Sequence, residues 1–359
     1  MHAVAERKIL MVVHGPGRGR HVPTGDVFLK RLVAANDPLF HDIRIHATCT
    51  GTPDFSDIGT VLFWLGDPLK QKYPTCYLDA LDIAKEAAFR GLKVINHPDG
   101  LSNTSKTSQA RIWNECGVPS ANVASVRDMS QLPSAIDAIG YPCIVRGDEE
   151  HAQRDVAILR DKSDLDRMPP IRSGAAAVLR MHDIRQEYRD STARCSDLFR
   201  RYHHKARAFV FGDQVMASHL FFSESPIVGL SNCLFSREAG RVRSLARKAG
   251  YNAKLLDELI AVDQQYFATP VFGRGDLVAA VRALGLDFAA VDYSLRPNGR
   301  VIIWEANPYF WLPDGVQSVL SEERRAVDRV NRSFDWMATC LKSSAAQQSP
   351  LSVVTAIPA

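Results

Sequence analysis

The chain has 359 residues, 46% hydrophobic and 23% charged, so it can bury a real core, and at roughly 100–200 residues per domain it holds two or three domains. Forty-four basic and 40 acidic residues leave a formal net charge of +4, too mild for nucleic acid to be the main partner but compatible with a polyanionic cofactor. Seven scattered cysteines without a C-x-x-C pair argue against a disulfide framework or a zinc site, and the N-terminal apolar run Ile9–Val13 is too short for a secretion signal or a membrane span, so a cytoplasmic protein is expected.

The first hundred residues alternate strand and helix. Lys8–Val13 reads as a buried strand, Asp26–Ala35 as a helix, then strands near Asp42–Ala47 and Thr60–Leu65. Tyr77–Arg90 repeats Leu78, Leu81, Ala84 and Ala88 at helical spacing and is closed by Gly91, and Leu92–Asn96 is a fourth strand. Alternating β and α elements predict a parallel, doubly wound sheet. Ser105–Cys116 is a helix that Asn103 or Thr104 could cap, ended by Gly117 and Pro119. A short strand at Asn122–Ser125, a helix at Pro133–Ile139, paired strands Cys143–Val145 and Ala157–Leu159, and a buried strand Ala175–Leu179 follow. Lys205–Phe211 and Gln214–Phe222 flank Gly212-Asp213, a tight-turn pair, and Phe288–Leu295 and Val301–Ala306 flank Pro297-Asn298-Gly299. Ala253–Phe267 and Asp276–Leu284 are helical, Pro308–Gly315 is a loop, and Ser321–Leu341 is the last helix. The small and polar stretch from about Ser343 reads as a disordered tail.

The second hairpin carries the chemistry. With Asn298 and Gly299 as central turn residues, Asp292 faces Glu305, and opposed Cβ atoms lie about 4.5–5.5 Å apart. Asn307, two residues further, shares that face. Two carboxylates and an amide oxygen suit Mg ions that also hold phosphates. Both acids sit in apolar strands, where an unpaired charge is costly and a metal would relieve the cost. The alternative is an edge hairpin with scattered acids; Pro297 lacks an N–H, and a looser loop would slip the register. Lys205 and Arg207 lie two apart on one face, either a phosphate contact or a solvated basic edge. Lys106 begins its helix, where free N–H groups and the dipole favour anions, but on position alone a surface lysine in a first helical turn is the better reading.

Other patterns are decoys. GLSNTSKT, Gly100–Thr107, has Ser105 where a P-loop requires glycine, and GPGRG, Gly15–Gly19, fails the dinucleotide spacing. The latter is either a turn or a loop for the anionic end of a substrate. His203-His204, beside Lys205, reads as local packing or phosphate-edge polarity rather than a metal pair. No G-x-S-x-G or H-E-x-x-H motif is present.

The stretch LGLDFAAVDYSLRPNGRVIIWEANP resembles the C-terminal signature of the ATP-grasp ligases, an acid on one strand and E-x-N on the next. The resemblance extends over about residues 90–315. It implies a mixed α/β and α+β chain with the ATP-grasp fold: an N-terminal parallel α/β pre-grasp domain (1–100), a linker helix and small lid domain (101–180) and a C-terminal antiparallel grasp domain (181–342), with ATP between the last two and a tail at 343–359. It implies one Mg ion on Asp292 and Glu305 and a second on Glu305 and Asn307. In RAFVFG, Arg207 would approach the terminal phosphate with Lys205 beside it; Lys106, in SKTSQARIWNECGVP, would contact phosphates; Gln186-Glu187-Tyr188 would be the hinge run that reads adenine. Arg146, in GYPCIVRG, stands where the family usually has a lid lysine, and GDEEHAQRD has one glycine where the family has a glycine-rich loop. Arg207 and Arg146 are the expected catalytic cations. The implied activity is Mg-dependent use of ATP to activate a carboxylate as an acyl phosphate, which an amine then attacks, with small-molecule or peptide substrates. A catalytically degenerate nucleotide-binding module and a small-molecule phosphotransferase are the alternatives.

Overall fold

The computed structural model describes residues 8–15, 23–150, 155–172, 174–193, 196–229, 232–234, 250–310 and 324–346. Three four-stranded sheets organise them. In the first, β1 (Lys8–Val13), β2 (Ile43–Ala47), β3 (Ile58–Phe63) and β4 (Lys93–Ile95) run parallel in the order β2-β1-β3-β4. Such a sheet must be covered on both faces. Phe28 and Leu32 of the helix Pro23–Ala34 pack with Ile9 and Met11 on one side; Cys76, Ala80, Ile83, Ala84 and Ala87 of Pro74–Phe89 share a core with Leu10, Val12 and Val61 on the other.

The second sheet is antiparallel: β5 (Val123–Val126), β6 (Cys143–Gly147), β7 (Val156–Leu159) and β8 (Ala176–Arg180), ordered β5-β8-β6-β7. With Leu132, Ala135 and Ile136 of the helix Leu132–Ile139 it has a core of its own, built on Val126, Cys143, Val145 and Val178. The third sheet, β9 (His203–Phe211), β10 (Gln214–Ser223), β11 (Phe288–Leu295) and β12 (Val301–Asn307), is antiparallel in the order β10-β9-β11-β12. It shares its cores with the first sheet. Phe209, Phe211 and Phe288 join Ile9, Met11 and Leu62 and the helix Arg324–Ala346; Ala206, Ala208 and Val210 join Leu277 and Val281 of the helix Arg274–Ala283. Asn96 links the sheets: its Oδ1 accepts from the N–H groups of Asp287 (3.0 Å) and Phe288 (2.9 Å), and its Nδ2 donates to the Phe288 carbonyl (2.9 Å).

Four expectations need correction. Leu78 is 60% exposed, because the buried stripe of its helix runs through Ala80, Ile83 and Ala87 instead. The helix Lys106–Glu115 is capped by Ser105, whose hydroxyl accepts from the Ser108 N–H, not by Asn103 or Thr104. The last helix runs to Ala346, so Ser343 is helical, and 347–359 lie outside the described residues. The short helices Ile184–Arg189 and Asp197–Arg201 were not anticipated; Asp183 and Ser196 cap them.

Candidate active site

Alternation along β9 divides the third sheet's faces. Ala206, Ala208 and Val210 point into the helix-covered core, while Phe209 and Phe211 fill the opposite one. Lys205 and Arg207 are on the same face as Phe209, and there the apolar surface becomes charged. Arg207 pairs across the ladder with Asp292 of β11, and Asp292 with Glu305 of β12.

The expected opposition of Asp292 and Glu305 is present, but for a different reason. The hairpin does not close on a two-residue Asn298-Gly299 turn: Leu295 pairs with Val301, and the Arg296 N–H donates to the Arg300 carbonyl across a longer loop. That loop sets Tyr293 opposite Ile303, one residue out of the expected register. A bulge at Trp304 then restores it. The bulge also inverts the alternation, so Ile303 lies in the core while Glu305 emerges on the polar face with Asp292. Trp304 is held by its indole N–H, which donates to Ser294 Oγ (2.7 Å). Asn307 pairs with Ala290 two positions beyond Glu305 and is buried.

Four cations surround the two acids. Arg207 grips Asp292 with two donors, Nε to Oδ1 at 2.6 Å and an Nη to Oδ2 at 3.0 Å, and Lys205 Nζ reaches Oδ2 at 2.9 Å. Lys106 Nζ lies 2.5 Å from Glu305 Oε1, and an Arg146 Nη lies 3.8 Å from Oε2. The side chains are nearly covered, with 5% exposure at Asp292, 12% at Glu305 and 2% at Lys106. Burial works against ionisation of Asp292, but Arg207 and then Lys205 outweigh it and hold the carboxyl well below the usual carboxylate range. For Arg207, burial opposes the charge and Asp292 more than restores it.

Neighbouring elements fix these groups. Tyr266 donates its hydroxyl to the Arg207 carbonyl (3.0 Å) and lies 2.7 Å from the Tyr293 hydroxyl, beside Asp292 in sequence. Gln109, on the Lys106 helix, takes the Ala306 N–H at Oε1 (2.8 Å) and donates Nε2 to the Ala306 and Thr104 carbonyls (3.1 and 2.6 Å). It thereby clamps the strand residue between Glu305 and Asn307. Asp148, just past β6, accepts from the Thr107 N–H (2.8 Å) and hydroxyl (2.7 Å). The first N–H groups of this helix are thus taken by Asp148 and Ser105, and Lys106 serves the cluster through its ammonium rather than through the helix terminus. Nothing in the spacing marked Gln109 or Asp148; a buried Gln three residues past Lys106 was the only available signal.

No family model and no curated protein matches the sequence. Solved structures do. One of the ATP-grasp ligase PsnB complexed with minimal precursor is 13% identical with a TM-score of 0.50, covering 93% of this chain and 99% of that one. PsnB with minimal precursor, Mg and ADP, and PsnB with precursor peptide PsnA2 and AMPPNP, are each 14% identical at TM-score 0.50, covering 93% of this chain and 98% and 97% of theirs. The chain has the ATP-grasp fold.

On this ATP-grasp scaffold the structure brings together six of the expected site residues, Lys106, Arg146, Lys205, Arg207, Asp292 and Glu305, with Asn307 on the adjoining strand position. It does not bring the expected adenine run to them. Gln186 and Glu187 lie on the capped helix Ile184–Arg189, where Gln186 bonds Asp190 (2.8 Å) and Glu187 pairs with Arg296 (3.2 Å). Tyr188 is core, stacked on Phe199 at 4.9 Å and edge-on to His204. The segment leaving β8 approaches β12: the His182 ring is 6.0 Å from that of Trp304. His204 is also core, its Nε2 accepting from the Leu295 N–H (3.0 Å), in keeping with a packing role for His203-His204. Of the acids in the atypical lid stretch, Asp148 is engaged by Thr107 and Glu150 pairs with Lys72 (3.5 Å), while burial pushes the Glu149 carboxyl up. Residues 151–154 of that stretch, and 16–19 of GPGRG, lie outside the described residues.

Among the described residues no three His, Cys, Asp or Glu side chains form a metal-binding group. The donor set is two carboxylates and an amide, all hard oxygens, which fits Mg ions completed by phosphate oxygens and water. No described helix is long and apolar enough to cross a membrane.

Proposed function

We propose that this protein is a Mg-dependent ligase that uses ATP to activate a substrate carboxylate as an acyl phosphate and joins it to an amine, releasing ADP and phosphate. One observation carries the reading: on an ATP-grasp fold, two facing carboxylates with an adjacent amide are ringed by four cations from the lid, the linker helix and the grasp sheet. Asp292 and Glu305 would hold one Mg ion and Glu305 with Asn307 a second. When bound, the metal neutralises charge on the phosphate oxygens.

The chain's own residues supply the rest. Arg207 and Lys205 bind and orient the terminal phosphoryl group from the sheet, and Lys106 and Arg146 hold the phosphate chain from the linker helix and lid. A carboxylate oxygen of the substrate bonds to the terminal phosphorus as the bond to the ADP oxygen breaks. Charge on the transferred group is met by cations already fixed in place, so little reorganisation is needed. The amine then bonds to the acyl carbon and phosphate leaves. Positioning and electrostatics suffice without a protein nucleophile. The nucleotide base is assigned to the side of the lid edge, along Met181–His182 after β8. The substrate class is a small-molecule or peptide carboxylate and amine, and cytoplasmic placement agrees with the free thiols at Cys49, Cys76, Cys116, Cys143, Cys233 and Cys340.

Mg-dependent ADP release on adding candidate acid–amine pairs tests the reading. ADP release with one substrate and no amine would make it a phosphotransferase, and stoichiometric nucleotide binding without turnover under any pairing would make it a binding module.

A further inference from the structure

The two edge strands of the third sheet each carry a one-residue bulge, at the same level of the ladder. On β12 the bulge at Trp304 sets Glu305 opposite Asp292. On β10, Ala217 pairs with Ala208 but His219 pairs with Arg207, so Ser218 is the extra residue. Without it Ser218 would face Arg207 and His219 would turn to the other face. The bulge inverts the alternation as its counterpart does: Ala217 is core, and His219 emerges beside Arg207. Glu305, Asp292, Arg207 and His219 therefore form one row across all four strands on one face. Bulges recur beside active sites, where they re-aim a side chain.

The β10 bulge is firmly held. The Leu220 N–H donates to Asp263 Oδ1 (2.9 Å), and buried Asp263 is paired with Arg329, whose guanidinium lies over the Phe267 ring at 4.6 Å. The half-buried His219 ring stacks on Phe221 (3.9 Å between centroids, 16° between planes), with Ser218 Oγ 3.2 Å from Nδ1. With the serine hydroxyl donating to Nδ1, Nε2 carries the ring proton and is the donor. Burial, and then Arg207, push the imidazole well below its ordinary range.

We infer that His219 is a further residue of the site, a hydrogen-bond donor to the terminal phosphoryl group on the side of Arg207 away from the acids. This rests on the reading of the cluster as a nucleotide site. The lid and linker cations Arg146 and Lys106 reach the β12 end of the row, which places the body of the nucleotide there. His219, at the β10 end, meets what extends past Arg207, the group that is transferred.

The test compares Mg-AMPPNP, which has a terminal phosphoryl group, with Mg-ADP, which lacks it. In wild-type protein with 15N-labelled histidine, the His219 imidazole signals, assigned by their loss in His219→Gln, are expected to move with Mg-AMPPNP and not with Mg-ADP. By calorimetry, His219→Ala should lower the ratio of AMPPNP to ADP affinity about tenfold, the range of one hydrogen bond to a charged group, and His219→Gln, which keeps a neutral donor, should restore most of it. Signals unmoved by Mg-AMPPNP, equal movement with both nucleotides, or an unchanged ratio overturn the inference while leaving the nucleotide site intact. Failure of wild-type protein to bind Mg-AMPPNP overturns the site reading, and this inference with it. Should His219→Ala not fold, the wild-type spectra decide.

Discussion

Lys106 and Glu305, 199 residues apart, meet at 2.5 Å between the helix Lys106–Glu115 and the last strand of the third sheet, with the lysine almost wholly out of water. Removing one member of a buried ion pair takes its attraction away while the cost of burying the other charge stays. Arg146 remains beside Glu305 at 3.8 Å. Lys106→Met is therefore expected to lower unfolding free energy in urea by about 3 kcal/mol, and to weaken Mg-AMPPNP binding measured by calorimetry. Unchanged stability would mean that Glu305 is satisfied elsewhere.

Gln109 makes the second such link. Gln109→Leu leaves the Ala306 N–H and carbonyl buried without this partner, and each unsatisfied group costs about 1–3 kcal/mol. Both the urea midpoint and Mg-AMPPNP affinity should fall, because the strand residue between Glu305 and Asn307 is released. A loss of stability alone would limit Gln109 to a packing role.

Arg207 holds Asp292 with two parallel donors, a geometry that lysine cannot reproduce. Arg207→Lys keeps the charge and loses the fork. Calorimetry should show at least a roughly tenfold weaker Mg-AMPPNP affinity, equal to about 1.4 kcal/mol, in a protein that still folds. Equal affinity would show that charge alone matters there.

How much of this was legible beforehand depends on which physical signal each part obeys. Strand runs such as Lys8–Val13 and the Gly212-Asp213 hairpin follow directly from apolar continuity and turn chemistry. Asp292 and Glu305 were paired correctly through a turn that does not form, because a longer loop and a bulge offset one another. His219 was invisible for the same reason: period-two alternation puts it with Ala217 in the core, and only the ladder reveals the extra Ser218. The Gln186–Tyr188 run lies on a short helix that starts at the Asp183 cap, an element too short for its periodicity to show. Leu78 fails because the buried stripe through Ala80, Ile83 and Ala87 is one residue out of phase with the stripe through Leu81, Ala84 and Ala88 that the spacing suggests.

Stability should depend on pH through His203 and His204. Burial pushes His204 down to about 3, and burial followed by Arg185 pushes His203 down to about 4. Both folded values lie below the unfolded value near 6.5, so their contribution is complete above pH 6.5 and is lost as pH falls, when the unfolded chain takes up protons that the folded chain refuses. Between pH 7.5 and 5 each histidine should cost about 2 kcal/mol of unfolding free energy. His204→Gln, which keeps an acceptor for the Leu295 N–H, should flatten part of that slope. Urea titrations at the two pH values measure it; an identical slope in the variant would assign the loss to other groups.

The central claim is that the acids of this cluster recruit magnesium to a nucleotide. Calorimetric titration of AMPPNP with and without Mg, in wild-type protein, Asp292→Asn and Glu305→Gln, tests it most directly. The account predicts binding at least about tenfold tighter with Mg in the wild type, a gain equal to about 1.4 kcal/mol, and no such gain in either folded variant. AMPPNP affinity indifferent to Mg in the wild type, or a full Mg effect surviving in Asp292→Asn and Glu305→Gln, would contradict it.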